Sequence, residues 1–204
     1  IGVVMDEVGF PECLTPTQIG LIMKDSFNNW DSSLYSQYLQ TFHLPEKKEF
    51  GQFSKGMKMK LGIAVALSHH PKLLILDEAT SGLDPVVRDE ILDIFNDFTR
   101  DESHAILISS HIVSDLEKIC DYIAFLHKGK LVLYEEKDRL LEEYGIIQCT
   151  KEQLQELDPS AIIGVKQTSY NTEAVILRDQ IPEGFSVQPV SIEDLFIFMI
   201  KEAH

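Results

Sequence analysis

Apolar positions in this chain come in short unbroken runs that alternate with helical stripes. Ile1–Met5 reads as a short buried strand and Asp6–Pro11 as a loop. Thr15–Phe42 has helical spacing, with Thr15 or Thr17 suited to cap one helix and Asp31 or Ser32 to start a second. Ser54 precedes a helical stretch through Lys58–Ser68 that Pro71 ends, since proline has no N–H to continue the ladder. Leu73–Leu76 is apolar without alternation, the pattern of a strand that a parallel sheet buries on both faces. Pro85–Thr99 is an amphipathic helix, Ala105–Ser110 a second apolar strand and Ile112–Cys120 helical. Tyr122–His127 and Lys130–Tyr134 form two strands around Lys128-Gly129.

Strand alternating with helix predicts a parallel α/β architecture. After Tyr144-Gly145 the rhythm changes. Ile146–Cys149, Ala161–Thr168 and Glu173–Leu177 read as strands around a short helix at Lys151–Leu157, and Ile192–Glu202 as a final helix. A main domain over 1–144 with a small α+β appendage over 145–204 is therefore expected. The longest apolar stretches, such as Leu195–Ile200, are too short to span a bilayer, so membrane work would need a partner chain.

Composition narrows the function. A formal net charge of -15 over 204 residues argues against a nucleic-acid binder, which needs clustered Lys and Arg. It leaves room for a nucleotide, because one helix N-terminus suffices for an anion. Cys13, Cys120 and Cys149 are odd in number and scattered, which points to a reducing compartment and no metal spacing. His69 and His70 are adjacent and cannot share a helix face, so capping or surface roles are expected.

The candidate chemistry lies where strands end. Open α/β sheets bind ligands outside the carboxyl ends of their strands. The apolar run 73–76 stops at Asp77-Glu78 and enters Ala79-Thr80-Ser81-Gly82-Leu83-Asp84. An Asp there can hold a Mg²⁺ hydration shell and a neighbouring Glu can orient and deprotonate water, although a strand that stops in solvated acids is also common. The following strand ends at Ile108-Ser109-Ser110-His111, one helix further on. The imidazole of His111 could contact a terminal phosphate and the attacking water, or be a surface cap. Phe53-Ser54-Lys55-Gly56-Met57 opens a helix, where backbone N–H groups and a hydroxyl make either an anion site or an ordinary N-cap. Gly51 and Gly56 have the spacing of a phosphate loop, but Met57 stands where its Lys must be and no strand precedes it.

Together these residues resemble the ATP-binding cassette (ABC) ATPases. Phe53–Met57 is similar to the signature Leu-Ser-Gly-Gly-Gln, with Phe53, Lys55 and Met57 as departures. Leu73–Glu78 looks like the Walker B strand with its catalytic Glu, Ser81–Asp84 like the D-loop and His111 like the switch histidine. Ile1–Met5 aligns with the strand before the Q-loop, whose usual Gln falls on Asp6. Ser54-Lys55-Gly56-Met57 followed by Lys58-Met59-Lys60-Leu61, and the helix from Ser191 to Phe196, resemble a bacterial exporter-type branch.

The resemblance implies a P-loop NTPase-like cassette with a mostly parallel sheet and a helical subdomain over about 14–52. It implies ATP and Mg²⁺ as ligands, with Asp77 and Asp6 toward the metal and Glu78 and His111 in catalysis. Ser54, Lys55, Gly56 and Met57 would contact nucleotide across a dimer, with Ser81 and Asp84 beside it. The implied partners are a second ATPase subunit and a transmembrane permease, at the cytoplasmic face of the membrane. In the family the phosphate loop and the adenine-stacking aromatic come before the Q-loop. A protein of this sequence alone is expected not to turn over ATP. Two other classes are a cassette acting in translation or DNA repair and a nucleotide-independent binding module.

Overall fold

The computed structural model of the chain describes residues 1–167, 172–182 and 184–202. It divides into two compact units, Ile1–Asp115 and Leu116–His204.

The first unit is built on a three-stranded, fully parallel sheet of β1 (Gly2–Val4), β2 (Leu73–Asp77) and β3 (Ala105–Ser109), in that order. Between β1 and β2 run α1 (Pro16–Ser26), α2 (Ser32–Thr41) and α3 (Lys55–Leu67), and α4 (Pro85–Thr99) joins β2 to β3. The caps follow from sequence. Thr15 closes a capping box with Gln18, and the Asp31 carboxylate accepts from the Ser33 and Leu34 amides at 2.9 Å each. Pro85 at the first turn of α4 has no N–H to leave unsatisfied.

Parallel register puts Val4, Leu76 and Ile108 level, and likewise Val3, Ile75 and Leu107. Side chains alternate across a sheet, so these rows line opposite faces. Val4 and Leu76 are buried, whereas Val3 and Leu107 are exposed. This corrects the expectation that β2 is buried on both faces, because within the described residues only one face is covered. Helix α3 covers that face closely. A Cβ on Gly62 would sit 2.8 Å from Val8 Cγ2, so only glycine lets the helix approach this near. Lys60 of α3 pairs with Glu90 of α4.

The helices α1 and α2 carry an aromatic stack beside the end of α3. Phe27 lies 4.3 Å from His69, nearly parallel, and Trp30 packs on Tyr35. His69 is 6 % exposed, so it is a core residue and not the surface or capping residue expected. Burial holds its imidazole pKa below the ordinary 6.5. His70 is the surface partner, 3.4 Å from Asp31, with φ of 52°.

The second unit contains most of α5 (Val113–Ile119), whose first residues belong to the first unit. It continues with a hairpin of β4 (Tyr122–His127) and β5 (Lys130–Glu136) turned at Lys128-Gly129, both with positive φ, as the twist of tight hairpins requires. Helix α6 (Lys137–Glu143) leads into β6 (Tyr144–Cys149), then α7 (Lys151–Gln155), β7 (Ile162–Gln167), β8 (Thr172–Leu177), β9 (Val187–Gln188) and α8 (Ile192–Glu202). The strands form an antiparallel sheet in the order β7-β8-β6-β9 around Ile147, Cys149, Ala174 and Ile176. The expected strand end at Thr168 lies outside the described residues.

The division between the compact units falls at 115/116. The physical reason is that 116–144 packs with the C-terminal helix. The Glu117 carboxylate accepts from the Ile192 amide at 2.7 Å, capping α8, and Phe125 meets Phe196 edge-on at 5.1 Å. Among the described residues no helix is long and apolar enough to cross a membrane.

Two outcomes follow from this packing. Leu76 is 1 % exposed, so Leu76→Ala is expected to lower unfolding free energy by about 2–5 kcal/mol in urea titration. At His69 the unfolded chain takes up a proton before the folded one does. Stability is therefore complete above the ordinary value of 6.5 and falls as pH drops from there toward the lower folded-state value. His69→Phe is expected to shrink the difference between urea midpoints at about pH 5.5 and about pH 7.5; an unchanged difference would place that acid sensitivity elsewhere.

Candidate functional site

The parallel pairing of β2 and β3 sets Asp77 level with Ser109. Ser109 Oγ donates to Asp77 Oδ1 at 2.6 Å, fixing the carboxylate at the strand end. The next residue, Glu78, has φ of 51°, a left-handed backbone that costs a non-glycine residue about 1 kcal/mol or more. Neighbouring hydrogen bonds hold it there. The Glu78 amide donates to Ser109 O at 3.0 Å, and the Ser81 amide to Glu78 O at 3.0 Å. The turn then passes Gly82, with φ of 67°, and ends at Asp84, whose carboxylate accepts from the Val87 amide at 3.1 Å to cap α4.

The backbone reversal aims the Glu78 side chain at the neighbouring strand end. Glu78 Oε2 lies 2.6 Å from His111 Nδ1, and the His111 amide also reaches it at 3.4 Å. Glu78 is partly buried, with 28 % of its side chain exposed, while His111 is 68 % exposed. The carboxylate is thus anchored through one oxygen on an open imidazole, which leaves the other for a solvent-side partner.

The signature-like segment lies at the start of α3. Ser54 is the N-cap, its hydroxyl accepting from the Met57 amide at 3.3 Å. The cap and the anion-site readings are compatible here, because the first-turn amides of a helix have no partner within it. Gly56 packs on α4, where an added Cβ would stand 3.2 Å from Val87 Cγ1. Lys55 Nζ is 2.7 Å from Asp6 Oδ1 and lies close beside Gly82.

The expected residues therefore fall into two groups. Asp77, Glu78 and His111 come together at adjacent strand ends, with Ser81 and Asp84 in the turn that follows. Ser54, Lys55, Gly56 and Met57 lie at the α3 start, with Asp6 drawn to them by Lys55. Asp6, expected toward a metal, has its Oδ1 engaged by the Lys55 ammonium. A cavity of about 390 Å³ lies at this second group, lined by Asp6, Glu7, Val8, Phe53, Lys55, Lys58 and Met59. Sequence reasoning missed Ser109 as the partner of Asp77. Its position at the end of an adjacent apolar strand was the available signal.

Among the described residues there is no group of three or more His, Cys, Asp or Glu side chains that could hold a metal ion. One oxygen ligand at a strand end suits Mg²⁺, which binds through one or two carboxylates together with substrate phosphates and keeps several waters. It does not suit zinc, whose structural and catalytic sites take three or four protein ligands.

Comparison with known proteins agrees with this geometry. A family model described as ABC transporter matches residues 1–81. The chain is 48% identical over 93 residues to the lantibiotic transport ATP-binding protein SrtF of Streptococcus pyogenes, covering 46% of this chain and 40% of that protein. It is 38% identical over 134 residues to the bacitracin transport ATP-binding protein BcrA of Bacillus licheniformis, covering 65% of this chain and 44% of that one. The chain thus spans less than half the length of these curated relatives. A solved ATP-binding subunit of an ABC transporter superposes with a TM-score of 0.60 at 27% identity, over 68% of this chain and 60% of that one. The strand order, the adjacent carboxylates and the capped signature-like helix accompany this likeness, and over the matched residues the chain is similar to ABC transporter ATP-binding proteins.

Proposed function

We propose that this chain supplies the hydrolytic carboxylates and the signature segment of an ATP-hydrolysing subunit that powers a bacterial ABC exporter. The observation that carries the reading is the 2.6 Å contact between Glu78 and His111 at the ends of neighbouring parallel strands, beside the Ser109–Asp77 bond. Its resemblance to lantibiotic and bacitracin transport proteins supports export over a role in translation or repair.

In this reading Glu78 is the proton acceptor. His111 holds one carboxylate oxygen, which leaves the other to take a proton from an attacking water as the water oxygen bonds to the terminal phosphorus and the bond from that phosphorus to the bridging oxygen breaks, releasing ADP and phosphate. Asp77 would hold Mg²⁺, which supplies charge stabilisation to the phosphates when bound. Ser109 keeps that carboxylate from rotating. The amides of Lys55 and Gly56 and the Ser54 hydroxyl would present donors to the phosphates of a nucleotide held by a second subunit. Ser81 and Asp84 would lie along the dimer seam. Leu21 and Ile22 of α1 are exposed and apolar, which suits contact with a permease at the cytoplasmic face of the membrane. The second subunit and the permease belong to this proposal.

Glu78→Gln in the complete gene product is expected to lower ATP turnover by about 10²-fold or more while nucleotide binding is retained, as read by phosphate release and by nucleotide fluorescence. A variant that hydrolyses at the wild-type rate would remove Glu78 as the base. Asp77→Asn should raise the Mg²⁺ concentration needed for half-maximal turnover, and stripping Mg²⁺ with a chelator should stop turnover reversibly. Turnover indifferent to Mg²⁺ would sink the assignment of Asp77.

A further inference from the structure

Asp6 and Lys55 each depart from the family pattern, and they stand against each other. Asp6 occupies the position of the usual Q-loop Gln, and Lys55 the first Gly of the signature. They are 49 residues apart in sequence, yet Lys55 Nζ lies 2.7 Å from Asp6 Oδ1. The same ammonium lies beside the D-loop turn, where a Cβ on Gly82 would be 3.3 Å from it. Three segments therefore meet on one charge: the loop after β1, the first residue of α3 and the turn after the catalytic strand.

Electrostatics explains why the departures occur together. Lys55 is the first residue of α3, where the positive end of the helix dipole disfavours a cation. A neutral Gln at position 6 would leave that cation uncompensated. A Gly at position 55 would remove the ammonium that faces Asp6, which has Glu7 as its chain neighbour and fellow lining residue. Each change makes the other favourable.

We propose that Asp6 is a positioning residue for Lys55, and that this pair ties the loop after β1 to the start of the signature helix. It rests on the reading above, in which Ser54–Met57 contacts nucleotide. Both side chains are 44% exposed, and exposed ion pairs contribute little to stability. Its effect therefore falls on turnover and not on folding.

The test uses the complete gene product and two double-mutant cycles. One swaps the charges with Asp6→Lys, Lys55→Asp and both together. The other restores the family pattern with Asp6→Gln, Lys55→Gly and both together. Each single change is expected to lower ATP turnover about tenfold, and each double variant to return within about threefold of wild type, with urea midpoints little moved. Additive losses in both cycles would overturn the positioning role. Acylation of Lys55 read by mass spectrometry tests the pair without turnover, and Asp6→Asn should raise labelling about threefold or more. Equal labelling in the two proteins would overturn the pair itself. A wild-type protein that does not hydrolyse ATP would overturn the functional reading and the positioning role with it, while the labelling result still decides the pair.

Discussion

The parallel register between β2 and β3 is the constraint on which the rest of the site depends. It makes two strand ends level, and levelness turns residues from distant parts of the sequence into neighbours. Asp77 meets Ser109 because their backbones are paired, and Glu78 meets His111 because both lie just past that pair. A one-residue slip would move Leu76 from the buried face to the open one and separate both contacts. The burial of Leu74 and Leu76 thus holds the chemistry in place as much as it holds the sheet.

The start of α3 is positioned by the same sheet from the other direction. Gly62 lets the helix lie close to the segment after β1, and that closeness brings Lys55 within reach of Asp6. Packing on Val87 then sets Gly56 against α4, which begins at the turn leaving β2. The two groups of candidate residues therefore share a framework, although each offers its polar atoms to a different ligand in the proposed function.

Much of this was legible in the sequence because it is local. Pro85 and the apolar period of 85–99 mark α4 to the residue, and Thr15 and Asp31 are caps whose side chains do what their chemistry suggests. The Asp77-Glu78 and His111 positions could be read from strand ends and family motifs. What escaped depends on tertiary context. Helix α6 is seven residues with one buried side chain, Leu140, too short to show a period. Strand β9 is two residues recruited by β6. The exposed face of the sheet could not be told from a buried one, because Leu73–Leu76 has no alternation. The boundary at 115/116 depends on Phe125 and Glu117 finding partners in α8. The Asp6–Lys55 pair reads from sequence as two separate irregularities, and only proximity joins them.

The left-handed backbone at Glu78 gives that position two filters in series. The proposed chemistry asks for a carboxylate, and the backbone asks, before any chemistry, for a side chain without a branch at Cβ. Val, Ile and Thr are disfavoured on conformational grounds alone, whatever polar group they carry. Variation at this position is thereby channelled toward unbranched residues, so forms of the site that lack the carboxylate can keep the shape of the turn.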